Sequence, residues 1–565
     1  MKNFNQIKYE RIDYVQTSKE LELLINQLEN CNNFDNYLSI FKRIITIQNN
    51  IEEMYDYSDI KNMRNSEDEF FNKEISYWNE YKPKFDFLFN NFYELCLNSK
   101  YKSKLKEYVP ENFFNIINYQ LKITSDEVLE LKKRENELQA KYKEITREKL
   151  NYDGEERSIA YIMGFFSNKD RNTRKNAHDT INNYYYSKQQ ELDELFFELI
   201  NIRNEMAKKL HFNNYSDYSL ILRKRFGYDY QDIKRLRDNV IKYICPLVNK
   251  ISEWKKTELG LEQLKYYDTI YFKEMPQPLY EGKELLNHIG NSFERMDKDL
   301  ASLYVDMLRN DYIDFETREN KVNFCITNYL SESGYPVITG NYSNSYTDVT
   351  KTTHEMGHAF QKYNSSIKDK DYIISALLKY PTFEIAEMFS NAMELITLDY
   401  LDNIFNDKDY EKNYFLQLYR IVSVLPYECL VDEFQEQLYS TDDLKKEDIR
   451  KTWLSLVKKY GLENDNRGHI NLDTGGYFYR QSHIFLNPFY YIDYVISYFG
   501  AFALWKDSYE NLDTFKEMGA VASYYPLKTL IKEYHLQNPF DEESMKDISI
   551  NLEKQLIKRR NSYHN

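Results

Sequence analysis

The chain has 565 residues, a net charge of −15, 15 glycines, 11 prolines and 16% aromatic residues. That length allows two to four average domains, or one large helical body with a second lobe, and the scarcity of glycine and proline argues against a fold of many short strands and turns. The negative charge, with no basic face of useful size, disfavours nucleic acid and anionic membranes as partners, and no run of 18 apolar residues is present to span a bilayer.

Residues 1 to about 200 read as almost entirely helical. Leu21, Leu24, Ile25 and Leu28 form a helical stripe. Val128, Leu131, Leu138, Tyr142 and Ile145 keep a near-heptad spacing in a charged segment that Ser125 could cap. The run is short, which favours an internal antiparallel helix pair over a dimeric coiled coil. Asn151-Tyr152-Asp153-Gly154 is the turn that ends it. A second long helix is expected from Ser167, with Asp170 three residues on, to about Lys209. Tyr215-Ser216-Asp217 opens another helix, and Asp229 to about Lys256 reads as one more.

The texture changes near residue 320. Val322–Ile326 and Pro336–Thr339 are short β-like runs separated by Ser331-Glu332-Ser333-Gly334. They form either a small structural hairpin or an exposed strand able to pair with an extended peptide. The loop Gly340–Asp348 follows and ends in residues that favour helix N-caps, so a helix is expected from Thr347 or Asp348 through Phe360. From Pro381 the chain returns to helix, interrupted at Gly468–Gln481, where His469 and Gly475-Gly476-Tyr477 form an ordinary turn or a hinged loop. The chain order suggests an N-terminal helical lobe over 1–200 and a catalytic lobe over 201–565, with a soft boundary.

The helix after Asp348 carries His354-Glu355-Met356-Gly357-His358. Two histidines four apart lie on one helix face and can bind one Zn²⁺ from the same side. Glu355 is then placed to touch a water at the metal without binding the metal. Gln361 and Asn364 stand where a metzincin needs glycine and histidine, so that class is excluded. The third ligand is expected to be a carboxylate from a following helix. Glu387 and Glu394 are seven apart, on nearly one face, so one can ligate while the other steadies a ligand histidine. Glu384 is a third candidate, one turn the other way.

The pair His354-Glu355-Met356-Gly357-His358-Ala359-Phe360 and Glu387-Met388-Phe389-Ser390 resembles the thimet oligopeptidase and oligoendopeptidase F family of zinc metallopeptidases, most closely its shorter oligoendopeptidases. That family has a glutamate ligand about thirty residues beyond the first histidine, then a serine three later and a glutamate seven later. Glu387, Ser390 and Glu394 fit this pattern, which favours Glu387 over Glu384. Tyr215-Ser216-Asp217-Tyr218 resembles the family's helix opening, and the segment from His483 to Tyr494 resembles its C-terminal active-site segment. The resemblance covers residues 120 to 550; the first hundred residues match only by being helical.

The resemblance implies a mainly α fold: an elongated two-lobed helical shell around a deep channel, with a small β-hairpin or sheet beside the zinc-binding helix. It implies one Zn²⁺ per chain held by His354, His358 and Glu387, with Glu355 as general base. His483, Tyr491 and Tyr494 would supply donors to the developing oxyanion. The tyrosines follow His483 one residue sooner than in the family, so Tyr490 is a substitute. The expected substrates are short unstructured peptides. The alternative is a catalytically silent peptide-binding or scaffold protein on the same shell. Five dispersed cysteines without a C-x-x-C pair, and an N-terminus without an apolar stretch, point to the cytoplasm. The sequence leaves the oligomeric state open.

Overall fold

In a computed structural model that describes residues 2–123, 126–330, 334–368, 373, 376–507 and 512–564, helices carry most of the chain. Strands are confined to one two-stranded and one three-stranded sheet, so the fold is mainly α, as expected. Helix Tyr14–Glu29 buries the stripe Leu21, Leu24 and Leu28. Helix Leu129–Arg147 buries Leu131, Leu138, Tyr142 and Ile145 and packs on helix Gln189–Lys209 of the same chain, where Glu135 pairs with Arg203. Its apolar face is therefore satisfied internally. Ser125 and Ser331–Ser333 lie outside the described residues.

Three segments differ from expectation, each for a local reason. Asn151–Gly154 is the tip of a hairpin formed by β1 (Lys149–Tyr152) and β2 (Glu155–Ser158). Asp153 and Gly154 both take positive φ (53° and 84°), as a two-residue hairpin loop requires. Asp170 is itself a helix cap, accepting from the Thr173 amide, so the helix starts at Arg171. That helix ends at Ser187, and Lys188 separates it from Gln189–Lys209. Between Asp229 and Lys256 the helix widens over Val240–Ile244, because Pro246 has no amide hydrogen for the preceding turn.

The three-stranded sheet has β5 (Tyr335–Thr339) in the middle, parallel to β3 (Ile313–Asp314) and antiparallel to β4 (Ile326–Leu330). The strand before the hairpin break thus begins at Ile326, where the expected run ended. The buried Lys321 ammonium binds the Asp314 carboxylate and the carbonyls of Asp314 and Glu316, which holds the preceding segment as a loop.

By contact the described chain forms two units. The first comprises Met1–Thr124, Pro276–Glu411 and Ser497–Asn538; the second comprises Ser125–Met275, Lys412–Ile496 and Pro539–Asn565. This is a partition by contact, whereas the division near residue 200 is one of chain order and stays a proposal. The core of the first unit lies around helix Thr347–Lys368, which packs on β4 and β5, on helix Phe383–Thr397 and on helix Asp513–Ala520. Phe360, Phe389 and Phe515 meet there, with the Phe389 and Phe515 rings 5.0 Å apart. Among the described residues no helix is long and apolar enough to cross a membrane.

Candidate metal centre

Helix Thr347–Lys368 begins where the sequence places it. The Asp348 carboxylate accepts from the Ser343 and Ser345 amides and pins the incoming loop. One turn separates His354 from His358, and their ring centroids lie 5.0 Å apart. Helix Phe383–Thr397 delivers Glu387 to the same place. Its approach depends on Gly357: a β-carbon there would stand 2.6 Å from the Ser390 Cα and 2.7 Å from the Phe389 carbonyl oxygen. The two backbones touch because this position has no side chain.

His354 Nε2 lies 3.4 Å from Glu387 Oε2, and His358 Nε2 lies 3.7 Å from Glu387 Oε1. One ligand atom from each of the three residues lies within 4.8 Å of the others. Ligands about 2.0–2.1 Å from a tetrahedral Zn²⁺ stand roughly 3.3–3.4 Å from one another; the His354–Glu387 separation matches that value and the His358–Glu387 separation, measured to the other carboxylate oxygen, is slightly longer. The donors themselves, two imidazoles and a carboxylate, are a recurrent set for catalytic zinc. The residues fit the ion.

Neighbouring groups fix these ligands. Ser390 Oγ donates to Glu387 Oε2 at 3.2 Å. His354 Nδ1 meets Glu394 Oε1 at 2.7 Å; an ionised carboxylate only accepts, so Nδ1 carries the hydrogen and Nε2 faces the cluster. Glu355 is buried, and its Oε2 accepts from Thr327 Oγ1 at 2.6 Å. Burial disfavours a charged His354, but the hydrogen bond to Glu394 and the charges of Glu387, Glu394 and Glu355 outweigh it and hold the imidazole at about 9. Burial, with the charges of His354 and Lys362, pushes His358 far down. Burial raises both Glu355 and Glu387.

Strand β4 runs beside this helix as the outer strand of its sheet. Ile338 and Gly340 direct their amides to Tyr312 and Asp314 on the β3 side. Thr339 and Val337 therefore face β4, opposite Ile326 and Asn328. It follows that Cys325, Thr327 and Tyr329 turn their main-chain groups to the outer side.

His483, Tyr490, Tyr491 and Tyr494 gather in the second unit. His483 stacks on Tyr490 at 5.1 Å and tilts against Tyr491 at 4.7 Å, and Tyr494 donates its hydroxyl hydrogen to Tyr490 at 3.2 Å. The Arg223 guanidinium covers the other part of the stack, 4.5 Å from the Tyr490 ring centre. Asp493 accepts from Arg223 and Arg225, and Arg225 also binds the carbonyl of Phe489, a residue held at φ 61°. These bonds fix the turn that presents the tyrosines. Gln481 Oε1 accepts from Tyr427, and its amide nitrogen donates to His483 Nδ1 at 3.1 Å and to the Tyr491 hydroxyl. His483 therefore carries its hydrogen on Nε2, and burial together with Arg223 lowers its pKa.

The profile described as "Peptidase family M3" matches residues 164–525, and that described as "Peptidase M3 N-terminal domain" matches residues 4–124. The chain belongs to peptidase family M3. An X-ray structure named as an oligoendopeptidase F is 27% identical to this M3 peptidase over 99% of each chain, with a TM-score of 0.84. One named PZ peptidase A, with an inhibitor, is 26% identical over 98% of this chain and 99% of its own, also at 0.84. A third, named as an oligoendopeptidase F of Bacillus anthracis, is 24% identical, covers 100% of this chain and 99% of its own, and at a TM-score of 0.81 speaks to the fold alone. No curated protein matches the chain significantly.

The site residues of this M3 peptidase read from the sequence thus fall into two groups. His354, Glu355, His358 and Glu387 converge in the first unit, and His483, Tyr491 and Tyr494, with Tyr490, converge in the second. Glu384 is not in the metal cluster; its Oε1 accepts from Thr382 at the start of its own helix. His469 is a helix cap, accepting from the Asn471 amide and meeting Asn183 through its other nitrogen. Gly475 has a positive φ of 85°, and a β-carbon there would lie 2.7 Å from the Arg450 carbonyl oxygen, so the loop is packed. Gly357, Thr327 and Gln481 are the contributors that the sequence reading missed. Gly357 stood inside the motif, but its packing partner was invisible; the other two carried no pattern.

Proposed function

We propose that this M3 peptidase is a zinc-dependent endopeptidase for short unstructured peptides. The observation that carries the proposal is the convergence of one ligand atom each from His354, His358 and Glu387 within 4.8 Å of one another, with Glu394 behind one imidazole and Glu355 next to His354 on the same helix. Bound zinc supplies Lewis acidity, polarising the scissile carbonyl and making water a nucleophile near neutral pH. The protein supplies the rest. Thr327 holds Glu355 Oε2 and leaves Oε1 to take a proton from the attacking water. Glu355 then returns that proton to the leaving nitrogen as the C–N bond breaks. The raised pKa of Glu355 suits a group that must both accept and donate. His483 Nε2–H and the hydroxyls of Tyr491 and Tyr494 are the donors proposed for the oxyanion, with Tyr490 the substitute; removal of one such donor typically costs about 10²–10³ in rate. The main chain of β4 offers the peptide a strand to pair with. The unpaired cysteines support a reducing, cytoplasmic setting.

The test is metal content by elemental analysis, together with cleavage of a quenched nonapeptide before and after chelation. One zinc per chain is expected, with activity lost on chelation and restored by zinc. Glu355→Gln should keep the metal and lower kcat by about 10²–10⁴. A zinc-loaded protein that cleaves no peptide would favour the silent peptide-binding alternative.

A further inference from the structure

The outer edge of β4 is open at one end and stopped at the other. Phe324, just before the strand, is 51% exposed, and Cys325, Ile326 and Thr327 are partly exposed, whereas Asn328, Tyr329 and Leu330 are buried. Outward main-chain groups recur every second residue, so Thr327 and Tyr329 mark successive pairing positions about 7 Å apart. The first adjoins Glu355, through the Thr327 hydroxyl. At the second, the Tyr329 amide already donates to the Tyr380 hydroxyl at 3.0 Å.

Tyr380 is held firmly. The Lys362 ammonium lies 3.8 Å from its ring centre and also donates to the Lys379 carbonyl at 2.6 Å. Lys362 stands one turn beyond His358 on the metal helix, so the phenol is referenced to the same element as the ligands. The Lys379 ammonium, paired with Asp56, lies 5.7 Å from the ring on another side. As a whole residue Tyr380 is 38% exposed, so part of it is open to a bound peptide.

We propose that Tyr380 is a specificity-determining residue: its phenol closes the β4 edge one pairing step beyond Thr327, so a peptide pairs with the main chain at Cys325 and Thr327 but not at Tyr329. The peptide is then limited in length on one side of the scissile bond and not on the other. This rests on the reading that substrate lies along β4 beside Glu355.

The test uses the full-length zinc-loaded enzyme and two series of quenched peptides built on one scissile sequence, lengthened residue by residue on the N-terminal or the C-terminal side. The wild type should show a step down in kcat/KM in one series only. In Tyr380→Ala that step should disappear through a fall in KM of about 10-fold for the longer members, the scale of one or two main-chain hydrogen bonds gained, with shorter members unchanged. A Tyr380→Ala enzyme that keeps the step, or that slows on short and long peptides alike, overturns the proposal while leaving the peptidase reading intact. A wild type that cleaves no member of either series overturns both. Tyr380→Phe, which keeps the ring, gives a second measurement by mass-spectrometric amide exchange. Exchange at Tyr329 should quicken relative to the wild type while Asn328 and Leu330 hold, and unchanged exchange at Tyr329 overturns the proposal.

Discussion

Gly357→Ala separates local helix preference from the packing that makes the metal site. On local grounds the change is favourable, since alanine gains about 1 kcal/mol over glycine inside a helix. The packing runs the other way. The new methyl group would stand 2.6 Å from the Ser390 Cα and 2.7 Å from the Phe389 carbonyl oxygen, both main-chain atoms that no side-chain rotation can clear. Restoring van der Waals separation moves the helices roughly 1 Å apart. Overpacking of this kind costs about 1–3 kcal/mol, so the metal-free protein should be unchanged or less stable by up to about 2 kcal/mol. The larger effect falls on the ligands. Glu387 rides on the helix that must move, and its 3.4 Å edge to His354 would lengthen by a comparable amount. Zinc affinity should fall by about 10–100-fold, the range seen when a ligand's supporting geometry is disturbed. The assay is competition for zinc with a chromophoric chelator, alongside thermal unfolding with and without zinc. A variant that melts higher and holds zinc as tightly as the parent would refute the reasoning.

Glu394→Gln should lower zinc affinity by about 10–100-fold while leaving the fold intact, because the neutral amide holds the His354 Nδ1 hydrogen less strongly; equilibrium dialysis against zinc checks this. In Glu355→Gln, by contrast, the metal content should match the parent, so the two variants part metal binding from proton transfer. His178→Phe should flatten the acid sensitivity of the second unit. Burial, then the charges of Arg480 and Arg174, lower the His178 pKa to about 3 beside the stacked Phe166 ring. The unfolded imidazole takes a proton below its ordinary pKa of about 6.5, whereas the folded one does not until about 3, so stability is fully present above 6.5 and drains away as pH falls between those values. The slope is up to about 1.4 kcal/mol per pH unit. The drop in Tm from pH 7 to pH 5 should be smaller in the variant, and an equal drop would show that this imidazole is not the sensor.

The metal helix was legible because its signals are local. Asp348 at its start, two histidines one turn apart and the acidic neighbour all follow from 3.6-residue spacing, and the same spacing paired Glu387 with Glu394. What escaped were facts set by distant segments. Nothing near Gly357 announces that Ser390 will press against it, and nothing near Thr327 announces Glu355. The shift of β4 towards Leu330 has the same origin: Lys321 finds carbonyl partners at Asp314 and Glu316 and withholds Val322–Cys325 from the sheet. Lone residues with two plausible roles, such as Asp170 and His469, were misplaced or left open because capping is decided by one hydrogen bond.

The helix that backs the metal-binding one is encoded far downstream. Gln361 donates to the Gly519 carbonyl at 2.8 Å, and Phe515 closes over Phe360 and Phe389. On the ribosome, the histidines and Glu387 emerge long before this buttress is translated. A growing chain therefore leaves the apolar faces of Phe360 and Phe389 without this cover until Phe515 is made and packs over them.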